Sequence, residues 1–140
     1  MELSKRTDLA FRTLIYLATM ETALCTIAEI SKTYDVPKSH LMKVVNALVN
    51  EGFIHSIRGK LGGITLGIPA SDIYLNAVIE AVEKTLIPID CVKQKCLIDG
   101  HCGLPKILAK AQKAYLDALS QYSLADILVS STSQVLHLRE

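Results

Sequence analysis

The chain has 140 residues, half of them hydrophobic, with two Phe, five Tyr and no Trp, so it can bury one core built mainly from Leu, Ile, Val and Ala. A net charge of +1, with eight Lys/Arg against six Asp/Glu in residues 1–70 and seven against eight in residues 71–140, excludes a uniformly basic nucleic-acid protein and leaves only a local basic footprint. No apolar run approaches the roughly 20 residues that span a bilayer, and Arg12 interrupts the apolar stretch after Lys5 and Arg6 with no clean cleavage site beyond it, so a cytoplasmic protein is expected.

From about Arg6 to Met20, the residues Ala10, Phe11, Leu14, Ile15 and Ala18 recur at helical spacing and predict a first helix with one buried stripe. Thr26-Ile-Ala-Glu29 has the form of a capping box and opens a short helix to about Tyr34. Asp35-Val36-Pro37 breaks the chain, because proline disfavours helix in the residue before it yet fits a first helical turn. A further helix is predicted from Lys38 to Asn50, with Leu41, Val44, Val45 and Leu48 inward and Gly52 just past its end. Two short helices joined by a tight turn, after a supporting helix, read as a helix-turn-helix.

Phe53 to Arg58 alternates at period two, Arg58-Gly-Lys-Leu-Gly-Gly63 is a turn with two cations, and Ile64-Thr-Leu66 returns. A hairpin in this position is a wing. The helix face opposite the core offers Lys38, Ser39, His40, Met42, Lys43 and Asn46 to DNA, and the wing adds Arg58 and Lys60. Pro69-Ala-Ser-Asp72 marks a break, and a helix from about Asn76 to Glu83 follows. Beyond the cysteines, Leu104, Ile107, Leu108, Ala111, Tyr115, Leu119 and Tyr122 form a long apolar stripe. With little of its own subunit to cover it, this helix is expected to pair with its mate in a twofold homodimer. Ser123 is expected to cap a short last helix, and the tail after Val129 to be polar and frayed despite Val135 and Leu136.

Three of the four cysteines form Cys91-x4-Cys96-x5-Cys102, a polar, turn-rich stretch with Lys93, Lys95 and Gly100 between them. An apolar core has no need of three thiols there, whereas zinc and iron–sulfur clusters prefer thiolate ligands. Disulfide chemistry and coincidence are the competing readings. No Cys-x-x-Cys pair occurs, so a thioredoxin-like site and a zinc ribbon fit poorly. Cys25, in Ala23-Leu-Cys-Thr-Ile27, reads as a small buried hydrophobe. His101 is read as a solvated loop residue, and His55 and His137 have no assigned role.

Taken together, these residues resemble the iron–sulfur winged-helix regulators, the family that includes the cluster-assembly regulator IscR and the nitric-oxide-sensing repressor NsrR, over essentially the whole chain. The landmarks are Thr7-Asp8, Arg58-Gly59 with Gly62-Gly63, and three cysteines before a long helix. The likeness is nearest the NsrR type through Leu14-Ile-Tyr-Leu17, Tyr122-Ser-Leu-Ala-Asp126, Asp8 and the cysteine spacing. Ile107 stands where the IscR type carries a ligating histidine, five residues after Cys102.

The resemblance implies a mainly α fold with a small β-hairpin wing: a winged helix-turn-helix over 1–83, a cluster loop over 84–103, and a dimerisation helix with a tail over 104–140. It implies a homodimeric, cytoplasmic, non-enzymatic repressor of double-stranded operator DNA. Each subunit would hold one [2Fe–2S] or [4Fe–4S] cluster on Cys91, Cys96 and Cys102, with Asp8 reaching across from the partner as fourth ligand. Nitric oxide would be the signal. Three alternatives stand beside this: an iron–sulfur-status or redox regulator of the IscR type, a zinc-stapled interaction protein, and a thiol enzyme, for which no nucleophile–base pair is legible.

Overall fold

The computed structural model describes residues 3–21 and 23–137. The element order is α1 (Lys5–Thr19), α2 (Ile27–Tyr34), α3 (Lys38–Asn50), β1 (Ile54–Ile57), β2 (Gly63–Leu66), a 3-10 turn (Ala70–Asp72), α4 (Leu75–Val82), α5 (Leu104–Leu119), α6 (Leu124–Ile127) and α7 (Ser130–His137). The winged helix-turn-helix expected from the sequence is present.

Local chemistry sets the boundaries. The Ser4 side chain accepts from the Thr7 amide and starts α1. Thr26 and Glu29 form the expected reciprocal capping box at α2. Asp35 ends α2 in the left-handed conformation, at φ 53°. Pro37 then stands as the N-cap of α3. At the far end of α3, Gly52 adopts φ +80°. Its amide donates to the Val49 carbonyl, and the Phe53 amide donates to the Leu48 carbonyl, completing a Schellman motif.

The wing is a two-stranded antiparallel sheet with Ile54 opposite Leu66 and Ile57 opposite Gly63. Cys25 extends it by an isolated bridge, exchanging both backbone hydrogen bonds with Ile64 at 3.0 and 2.7 Å. Gly62 and Gly63 are required by close approach. A Cβ at Gly62 would collide with the Ile57 carbonyl oxygen, and one at Gly63 would lie 2.8 Å from the Cys25 carbonyl oxygen.

The core lies where α1 packs on α3 and α4 and α2 packs on α3. Leu14, Leu17, Ile30, Leu41, Leu48, Ile73 and Leu124 are essentially inaccessible to solvent. Burying each such side chain is worth about 1.5–3 kcal/mol against leaving it exposed. Cys25 belongs to this cluster and is buried, as its apolar setting predicts.

Two expectations are corrected. The apolar stripe of α5 does not continue to Tyr122, because the helix stops at Leu119. The Tyr122 carbonyl instead accepts the Leu75 amide at 2.9 Å, while Tyr74 and Ser123 pair as an isolated bridge, so this segment is committed to starting α4. The tail is also not frayed through residue 137. Ser130–His137 is helical, and Leu136 inserts into the core beside α1, because a buried leucine outweighs the weak helix propensity of Ser130, Ser131, Thr132 and Ser133.

Candidate DNA interface and cysteine loop

The division of α3 into two faces is complete. Leu41, Val44, Val45 and Leu48 are buried, while Lys38, Ser39, His40, Met42, Lys43 and Asn46 are all exposed. Arg58 and Lys60 are exposed on the wing. Asn46 and Arg58 line the same cleft of about 520 Å³ between α3 and β1, so helix and wing form one surface. Lys60 lies outside that cleft, on the hairpin tip.

Residues 83–103 contain no helix or strand; they run from the end of α4 to the start of α5, with successive turns over 91–100. The Asp90 carboxylate accepts the Lys93 amide, and the Cys96 amide donates to the Cys91 carbonyl at 3.0 Å. Gly100 sits at φ +77° and Lys95 at φ 51°. None of the four cysteines forms a disulfide. Cys91 is half-buried, and Cys96 and Cys102 are exposed. Partial burial pushes the Cys91 thiol above its ordinary value, and the neighbouring Cys96, Asp99 and Cys102 push it further. The three thiols therefore lie on one short loop, and Cys96 and Cys102 act on Cys91 electrostatically. The Leu104 amide, at the first turn of α5, donates to Cys102 Sγ at 3.5 Å. Among the described residues, no three or more His, Cys, Asp or Glu side chains converge closely enough to hold a metal ion.

Asp8 lies in the first turn of α1, apart from this loop in its own bonding. Its carboxylate pairs with Arg12 one helical turn on, at 3.0 Å to the Nη2 atom and 3.2 Å from Nε, and both side chains are about half exposed. Arg12 also lies 5.8 Å from the centroid of the Tyr34 ring. Tyr34 donates from its hydroxyl to the Arg12 carbonyl. Burial pushes the Tyr34 hydroxyl up to about 12, against the lowering effect of Arg12.

Residues 3–130 match the family model Rrf2, described as an iron-dependent transcriptional regulator. The chain belongs to the Rrf2 family. It is 40% identical over 134 residues to the HTH-type transcriptional regulator NsrR of Bacillus licheniformis, covering 93% of this chain and 94% of that protein. Its fold is also that of CymR, the global cysteine regulator of B. subtilis, with a TM-score of 0.70 at 21% identity over 91% of this chain and 95% of the other. T. potens IscR superposes with a TM-score of 0.69 at 20% identity, over 91% and 85% of the two chains. This Rrf2 chain is thus an NsrR-type transcriptional regulator, and DNA is its partner. No described helix is long and apolar enough to cross a membrane.

Some elements of this Rrf2 site escaped the sequence. Glu83 accepts from the Ser4 amide at 2.9 Å and from the Thr7 hydroxyl at 2.7 Å, tying the root of the cysteine loop to the start of α1. Lys84, the next residue, lies against α1 and α3 together with Lys5 and Arg6. No local pattern announces either contact, because each joins residues more than 40 positions apart.

Proposed function

We propose that this chain is a homodimeric repressor whose operator affinity is set by an iron–sulfur cluster that reacts with nitric oxide. The observation that carries the reading is the set of three neighbouring thiols, Cys91, Cys96 and Cys102, none of them in a disulfide, in a chain 40% identical to NsrR. The donors suit iron: they are soft, and a cation among them would offset the repulsion that now disfavours the Cys91 thiolate. When bound, the cluster supplies iron as the point of attack for nitric oxide.

Cys91, Cys96 and Cys102 would hold the cluster, one per subunit, with Asp8 of the partner subunit as fourth ligand. Asp8 is half exposed in the first turn of α1 and so is accessible to a second chain. Ligation would compete with Arg12, which now holds both carboxylate oxygens. A carboxylate is a harder donor than a thiolate, which makes that corner the weakest of the four. Because α1 packs on α3, release of Asp8 would disturb the support of the DNA-reading helix.

The α5 stripe supports the dimer. No α5 residue is buried within the subunit, and Leu104 and Ile107 are 48% and 66% exposed. A helix of this length, about 24 Å, with an apolar face only partly covered fits a twofold interface.

Anaerobic absorption and Mössbauer spectroscopy of the holo protein, before and after nitric oxide, tests the reading. Charge-transfer bands that collapse with nitric oxide, together with loss of operator binding, are expected. A colourless protein with stoichiometric zinc would overturn it. Asp8→Ala should retain an altered cluster on the three cysteines and bind operator less well. An unchanged spectrum and an unchanged nitric oxide response would assign the fourth position elsewhere.

A further inference from the structure

A cleft of about 310 Å³ lies where α1, α3 and the root of the cysteine loop meet. Lys5, Arg6, His40, Lys43 and Lys84 line it, and among the described residues no Asp or Glu does. Leu9 and Val44 form its apolar floor. Among the described residues, none of these four Lys and Arg side chains forms an ion pair within 4.0 Å. Among the described residues, the buried Arg6 Nε has no hydrogen-bond partner. Clustered cations repel one another, so an anion seated among them would be favoured. The neighbouring Glu83 lies outside the cleft lining; its charge partly offsets that of Arg6, and its Oε1 accepts from Ser4 and Thr7.

We infer that this cleft is a phosphate-binding site that seats a backbone phosphate of the operator beside the groove entered by α3. The inference rests on the DNA reading and extends it to Lys5, Arg6 and Lys84, three residues outside the helix and wing already assigned. His40 and Lys43 belong at once to the exposed face of α3 and to the cleft, so the cleft is continuous with the DNA surface. Phosphate contacts of this type fix register and orientation without reading bases. Lys84 follows Glu83 at the first position of the cysteine loop, so the site ties the root of that loop to DNA within one subunit.

The test uses holo protein and a duplex carrying its selected binding site, with single phosphates replaced in turn by neutral methylphosphonate. Wild-type protein should lose affinity at one phosphate per half-site. Lys84→Gln should no longer respond at that phosphate while still responding at others, and its salt dependence should be flatter by about one unit per site. Lys5→Gln should behave alike. Titration with inorganic phosphate at constant ionic strength, without DNA, is the second arm. If free phosphate binds in a Lys84-dependent way and the methylphosphonate scan shows no Lys84-dependent position, the occupant is a free anion and the inference is overturned. Failure of both arms overturns it too. A Lys60→Ala control that still flattens the salt slope locates that failure in the cleft, and one that does not locates it in the DNA surface as a whole.

Discussion

The Thr7 hydroxyl donates a 2.7 Å hydrogen bond to Glu83 Oε1, joining the first turn of α1 to the residue from which the cysteine loop departs. Thr7 is fully buried, so loss of its acceptor has a direct energetic consequence. Glu83→Ala should cost about 1–3 kcal/mol in chemical denaturation. A double-mutant cycle with Thr7→Val should return a coupling in the same direction, and strict additivity would show that the contact carries no energy. Partial burial alone would raise the Glu83 carboxyl, but hydrogen bonds from Thr7 and Ser4 and the charge of Arg6 outweigh it and hold it below its ordinary value. A depressed folded value means that the stabilisation is present above the unfolded pKa, about 4.3, and is lost as pH falls through the folded value. Stability of the wild type should therefore decline below about pH 4 more steeply than that of Glu83→Gln.

The wing depends on Gly62. A methyl group there would meet the Ile57 carbonyl, which is backbone and cannot move aside without disturbing the β1–β2 register. Gly62→Ala should leave the helical content intact by circular dichroism and weaken operator binding as much as Lys60→Ala or more. Unchanged binding would show that the hairpin tip takes no part in DNA contact.

Helix and wing have separable roles. Lys60, exposed on the hairpin tip, should contact phosphate, so Lys60→Ala should weaken all sequences alike and flatten the salt dependence by about one unit. Ser39 and Lys43, exposed on the N-terminal half of α3, should contact base edges. Their replacement should relax sequence preference in a selection experiment. A Lys60→Ala protein with altered preference and an intact salt slope would reverse these assignments.

The apolar stripe of α5 is only partly covered within the subunit, and Leu108 lies mid-stripe, half-buried. Leu108→Asp would place an unpartnered carboxylate in the interface, at a penalty of several kcal/mol. A monomer in sedimentation, with much weaker operator binding, is expected. A variant that remained dimeric would place the interface on another face.

Elements whose causes lie within a few residues of one another were legible in the chain itself. The predicted span Lys38–Asn50 is that of α3, because four buried apolar positions and the Gly52 turn are local signals. The Thr26–Glu29 and Ser123–Asp126 boxes close between residues three apart. The Cys91-x4-Cys96-x5-Cys102 spacing was likewise visible without a fold. Tertiary packing decided the rest. Thr7 and Glu83 are 76 positions apart, Leu136 reaches the core only because α7 returns to α1, and the Tyr122 carbonyl was claimed by Leu75 instead of by a longer α5. Lys5, Arg6, His40, Lys43 and Lys84 share no motif and meet only because α1 packs across α3 and α4. Periodicity and capping act over one or two helical turns. Which distant side chains meet depends on how whole helices pack, and that follows from buried surface summed over the fold.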